Sequence, residues 1–232
     1  MKRLFIILAA AVVAVSAMAQ EVYPTKFLGI PIDGTKEEMI HKIQAKGFVY
    51  DREHDCLEGQ FNGTGVNVFV VTNGNKVWRV MVAEKTLFPE SEIRLRFNNL
   101  FLQFQKNKKY ITLNTENPLL PEDEDISYEM LVKNKRYSRE FLQITHEIDT
   151  AFVFNAMIEN LKSTAQQNGV DFSLDKLSDD ELARLFKSFF NMTCLYAFEK
   201  NTVWFLINEY MGKYHISIYY DNEYNKADGE DL

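Results

Sequence analysis

Two Asn-Gly dipeptides, Asn62-Gly63 and Asn73-Gly74, constrain this chain more than any other feature. Each separates runs rich in β-branched, aromatic and alternating apolar residues. An Asn-Gly pair between such runs favours a two-residue turn, because both central residues accept positive φ and match the twist of the flanking strands. With Phe48–Arg52 in front, the runs Cys56–Asn62, Val66–Thr72 and Lys76–Glu84 predict a four-stranded antiparallel meander.

Helices are expected on both sides of that meander. Thr35 and Glu38 have the Thr-x-x-Glu spacing of a capping box, Met39, Ile40 and Ile43 mark one face, and Gly47 is a natural stop. After Pro89, Ile93, Phe97, Leu100, Phe101 and Phe104 recur at helical spacing. Tyr110–Asn114 reads as a strand, and Thr115–Asp125, rich in proline and acids, as a loop or linker. Ile126–Lys133 and Arg136–Ile144 read as a hairpin around Asn134-Lys135. A third helix is expected from Thr150 to Asn168-Gly169, and a fourth from Ser178, with Glu181 completing a second capping box. Three strands, Thr193–Phe198, Thr202–Glu209 and Lys213–Asp221, close the chain. The fold class is therefore α+β: antiparallel meander sheets with helices packed on one face. The echo of "VWRVMV" (77–82) in "VWFLIN" (203–208) adds the expectation of a two-fold repeat of a helix-plus-meander unit.

The first residues read as a secretory signal. Lys2 and Arg3 precede an apolar run from Leu4 to Val15, and Ala17-Met18-Ala19 is a small-residue cleavage site that makes Gln20 the new N-terminus. The run falls short of the roughly 18–20 residues that span a bilayer, and no later segment is long and apolar enough. Removing 19 residues from 232 leaves 213, divided by expectation into an N-terminal unit (20–114), the acidic loop (115–125) and a C-terminal α+β unit (126–232), unless the two units form one compact domain. Cleavage also lowers the 26 basic residues to 24 against 33 acidic ones, a net charge of −9. An acidic chain without a basic cluster argues against nucleic acid as a partner, since phosphates require a positive surface. The two cysteines, Cys56 and Cys194, leave two alternatives in an oxidising compartment. They form a disulfide closing a long loop, worth on the order of 4 kcal/mol, or they remain separate buried thiols.

Sequence motifs for chemistry are sparse. Gly29 and Gly34-Thr35-Lys36 imitate a phosphate loop, but the Lys and Thr stand in the wrong order and Pro31 removes a backbone N–H. "DREHDC" (51–56) crowds acids, His54 and Cys56, and an extended conformation would put His54 and Cys56 on one face. Two such residues do not make a site without a partner from elsewhere, and a polar turn before a strand is the preferred reading. Gly-x-Ser-x-Gly and His-Glu-x-x-His do not occur. No catalytic, cofactor-binding or metal-binding residue is expected. The positive signal is aromatic: Tyr210, Tyr214, Tyr219 and Tyr220 crowd the last strands and are the candidate interaction surface.

Several stretches together carry a resemblance: "KFLGIPIDGTKEEMIHKIQAKGF", "ISYEMLVKNKRYS", "VWFLINEYMGKYHISIYYDNEYN" and the terminal "ADGEDL". They resemble a family of exported proteins of gut Bacteroidetes to which no catalytic residues are assigned. The helix-then-meander order is more distantly similar to the β-lactamase-inhibitor-protein-like fold. That resemblance implies small helix-plus-sheet units used for protein contacts, although this chain lacks a lipid-anchor cysteine. The expectation is a periplasmic or secreted, non-catalytic binding protein, with an unknown protein or glycan of the cell envelope as partner. The alternative is a small periplasmic hydrolase using paired carboxylates from the sheet and the Leu119–Asp125 loop.

Overall fold

A computed structural model describes residues 22–113, 119–169, 173–174 and 177–227. The signal segment with Ala19 and Gln20, residues 114–118 at the start of the 115–125 loop, and the "DGEDL" tail lie outside the described residues.

Helix α1 (Lys36–Gln44) begins where the capping box predicts. The Thr35 side chain accepts from the Glu38 N–H, and the Glu38 carboxylate accepts from the Thr35 N–H. Before it, β1 (Lys26–Phe27) and β2 (Ile30–Pro31) form a two-stranded ribbon. The meander follows as β3 (Val49–Asp51), β4 (Cys56–Phe61), β5 (Thr64–Asn73) and β6 (Lys76–Glu84). Asn62 and Gly63 take φ of 49° and 77°, as a two-residue turn with a mirror-image backbone requires. At the second dipeptide the turn is displaced by one residue: β5 runs through Asn73, and Gly74-Asn75 carry the positive φ values.

Helix α2 (Glu90–Lys106) buries Ile93, Phe97, Leu100, Phe101 and Phe104. Beyond it come β7 (Tyr110–Thr112), α3 (Ile126–Leu131) and β8 (Ser138–Gln143), and at the end of the chain β9 (Asn201–Tyr210) and β10 (Lys213–Asn222). All strands from β3 onward join one antiparallel sheet in the order β3-β4-β5-β6-β10-β9-β8-β7. The β9–β10 hairpin thus sits between β6 and β8, and the two edge strands have only three residues each, which limits the exposed ladder.

Helices α1 and α2 cover one face of this sheet. Val66, Val68 and Val70 of β5, Val80 and Val82 of β6, Val203, Phe205 and Ile207 of β9, and Ile216 and Ile218 of β10 point toward them. Five phenylalanines form the densest part. Phe104 stacks on Phe141 at 4.7 Å, and Phe97 meets Phe205 edge-on at 5.0 Å. Each such ring contributes about 1.5–3 kcal/mol by its burial.

The chain divides into two units, one comprising the sheet and its helices (23–145 and 200–232), the other containing residues 146–199. The 115–125 loop lies inside the first, and its Leu120 is buried in the core. The second is a pair of helices, α4 (Thr150–Gln167) and α5 (Asp179–Phe198), inserted in sequence between β8 and β9. Its own core joins Val153, Met157, Ile158 and Phe189, flanked by the Phe154, Phe186 and Phe190 rings. Ser178 and Glu181 form the predicted capping box.

Two segments read as strands are helical. Residues 126–131 form α3 because Asp125 caps its N-terminus and the Glu90 carboxylate, 36 positions earlier, accepts from the Ile126 and Ser127 N–H groups. Residues 193–198 continue α5, where Thr193, Cys194 and Phe198 extend its buried stripe and the Thr193 hydroxyl donates back to the Phe189 carbonyl at 2.9 Å. The internal echo between 77–82 and 203–208 is confined to β6 and β9.

Candidate functional site

The sheet face opposite α1 and α2 is built by the strand residues of the other parity. Solvent-facing positions of an antiparallel sheet are ordinarily polar. Here cross-strand register aligns Phe69 of β5, Met81 of β6, Tyr219 of β10 and Trp204 of β9 in one transverse row. All four are half-buried, and the row ends at exposed Glu140 of β8. Trp204 and Tyr219 lie face to face, ring centroids 4.0 Å apart and planes 8° from parallel.

The adjacent row is Val71, Arg79, Asp221 and Thr202. Its centre is a charge pair. Arg79 Nε donates to Asp221 Oδ1 and Nη2 to Oδ2, both at 2.6 Å, and the Trp204 indole N–H donates to Asp221 Oδ2 at 2.9 Å. The guanidinium also lies 4.2 Å from the Trp78 ring centroid, 5.1 Å from Tyr219 and 5.4 Å from Trp204.

A β-bulge explains how Trp78 reaches this face. Val71 pairs with Arg79 while Thr72 pairs with Val77, so Trp78 is an extra residue in β6. Val77 and Val80 both remain on the core side, and Trp78 and Arg79 emerge together on the other. Both tryptophans of the chain therefore meet one arginine. Arg136 lies 5.5 Å over Trp204. The pKa of Glu140 is raised, by partial desolvation and then by the Glu223 and Asp221 carboxylates.

The four tyrosines separate by parity. Tyr210 is 55% exposed and Tyr219 belongs to the row. Tyr214 and Tyr220 point the other way and are core residues. The Tyr214 hydroxyl meets Ser127 Oγ at 2.7 Å, and the Tyr220 ring packs 5.2 Å from Phe27. This corrects the reading of Tyr214 and Tyr220 as surface residues. What sequence reasoning missed is Phe69, Trp78, Arg79, Met81 and Asp221. The "VWRVMV" run held three of them, but the bulge that aims Trp78 and Arg79 together leaves no mark in the residue pattern.

The "DREHDC" segment closes on itself. Residues 52–55 form a turn with Asp55 at φ 50°, which turns His54 outward and Cys56 into the sheet. His54 Nδ1 lies 2.7 Å from Asp51 Oδ2, and Asp55 pairs with Lys36 and accepts from the Tyr50 hydroxyl at 2.6 Å. Among the described residues no group of three or more His, Cys, Asp and Glu side chains is arranged to hold a metal ion. Cys56 is buried in β4 and Cys194 in α5, each a free thiol.

The acidic loop supplies structural carboxylates. Asp125 caps α3, while Glu124 pairs with Lys135 and accepts from the Tyr137 hydroxyl, contacts that hold its carboxyl below the usual range. On the helical side, α2, the end of β6 and the β4–β5 turn border an open cleft of about 340 Å³. Its floor is the Glu84–Arg96 ion pair at 2.6 Å.

Comparison with known proteins leaves this geometry to stand by itself. No family model, no curated protein and no solved structure matches the chain.

Proposed function

We propose that the protein is an exported, non-catalytic binding protein of the cell envelope or its exterior, and that its partner is a protein seated on the Phe69–Met81–Tyr219–Trp204 row. The observation that carries this reading is the apolar row itself, on a sheet face that polar residues ordinarily occupy. The aromatic and arginine content of the face is that of a protein interface centre. The ring geometry favours a protein over a glycan. Sugar rings stack on open aromatic faces, whereas Trp204 and Tyr219 cover each other and Arg79 lies over Trp78.

The export part rests on the first 20 residues, which have the charged, apolar and small-residue regions of a cleaved signal. Among the described residues no helix is long and apolar enough to cross a membrane.

The test compares the mature chain with Met81→Glu in affinity capture from envelope extract. Met81 is half-buried on the row and not a core residue, so the variant keeps its circular dichroism spectrum. The expected result is a protein retained by the native chain and lost with Met81→Glu. Equal capture by both, or turnover of a glycan or peptide panel by the mature chain, would overturn the reading.

A further inference from the structure

The cleft beside α2 points to a small-molecule site, separate from the sheet-face reading. Its wall is a helical stripe of α2, Glu92, Leu95, Arg96, Asn99 and Gln103, recurring every three or four residues. This stripe is adjacent to the one that α2 buries in the core, so the helix is used on two sides. Asn62 closes one end, its side-chain amide donating to Gln103 Oε1 at 2.8 Å.

The floor is rigid and charged. Glu84 is buried, its side chain only 5% exposed. Its Oε1 accepts from Arg96 Nε at 2.7 Å, and its Oε2 accepts from the Ile216 N–H at 3.4 Å. Arg96 also lies 5.3 Å over the Phe88 ring and stays 27% exposed. Leu95 stands at the mouth, 61% exposed.

The lining decides the ligand class. A volume of about 340 Å³ is at the low end of the ~300–1,000 Å³ of small-molecule sites, which admits one or two rings and excludes a peptide segment. An anion would meet Glu84 and Glu92, and a cation would meet Arg96. The carboxylates accept only, the guanidinium donates only, and the amides of Asn99 and Gln103 do both. A neutral ligand whose polar groups each donate and accept fits this mixture, with C–H surface for the exposed Leu95 side chain. Hydroxyl groups on a saturated ring have those properties. We propose that the cleft binds an uncharged mono- or disaccharide.

The experiment is calorimetric titration of the mature chain with galactose, mannose, N-acetylglucosamine and lactose, with glucosamine and glucuronate as charged controls. Two variants accompany it. Leu95→Trp plugs the mouth from an exposed position, and Asn99→Ala removes an amide from the wall without touching the ion pair. The expected result is saturable binding of a neutral sugar, weakened about tenfold by Asn99→Ala and abolished by Leu95→Trp, with Met81→Glu on the opposite sheet face unaffected. The proposal is overturned if none of the neutral sugars binds, if a charged control binds more tightly, or if Leu95→Trp binds like the native chain.

Discussion

Arg79 and Asp221 form a forked ion pair, two parallel bonds of 2.6 Å, in the middle of an eight-stranded sheet. The Asp221 side chain is 5% exposed and that of Arg79 23%. The pair ties β6 to β10, and the Trp204 indole N–H adds β9. Removing one partner leaves the other desolvated and alone, which costs far more than the pair contributes. Asp221→Ala is expected to destabilise the sheet unit by about 3 kcal/mol. Urea unfolding followed by tryptophan fluorescence measures this, and a loss under about 1 kcal/mol would show that water already satisfies Arg79.

Deleting Trp78 should be milder than substituting Asp221. Without the extra residue, β6 pairs regularly with β5, and Val77 and Val80 keep their places on the core side. The loss is the Arg79 contact, about 1 kcal/mol, or a Tm lower by about 2–4 °C. Thermal unfolding by circular dichroism checks it. Failure of the deletion variant to fold would mean that the bulge is required by the sheet and not only by the face it builds.

The Glu124 contacts predict acid sensitivity. Lys135 and then Tyr137 depress its folded pKa relative to an unfolded carboxyl near ~4.3. The stabilisation is complete above the unfolded value and is lost as pH falls through the depressed folded value. The stability difference between the native chain and Glu124→Gln should therefore be constant from pH 7 to about pH 5 and shrink below about pH 4. Urea titrations across that range test it, and a difference independent of pH would refute the linkage.

The thiols give a fourth outcome. Burial raises the pKa of both cysteines, that of Cys194 to about 11, so little thiolate exists near pH 8 to react. The folded, unreduced protein should react slowly with a thiol reagent at pH 8 and release two equivalents in denaturant. Zero equivalents in denaturant would establish the disulfide instead.

Sequence reading succeeded where local chemistry decides the structure. The two capping boxes, Thr35 with Glu38 and Ser178 with Glu181, use groups three residues apart, and both are present as expected. The α+β class and the antiparallel meander follow from period and turn residues in the same way. It failed where a distant group decides. Ile126–Leu131 carries β-prone residues and becomes a helix because Glu90 receives its first N–H groups. Residues 193–198 look like a strand in isolation but continue a stripe begun at Leu182. The face of Tyr219 was legible by alternation. The bulge beside it depends on how β5 and β6 pair, which one strand cannot specify.

The placement of β9 and β10 gives the sheet an unusual dependence on the order in which it is made. Everything from β3 to β8 leaves the ribosome before Asn201 does. Until then β6 and β8 each present a bare ladder edge, the Phe97–Phe104–Phe141 cluster lacks Phe205, and Arg79 has no counter-ion. The last hairpin acts as a keystone set between two unfinished halves. A chain that stops short of it has not lost a terminus; it has lost the middle of its sheet.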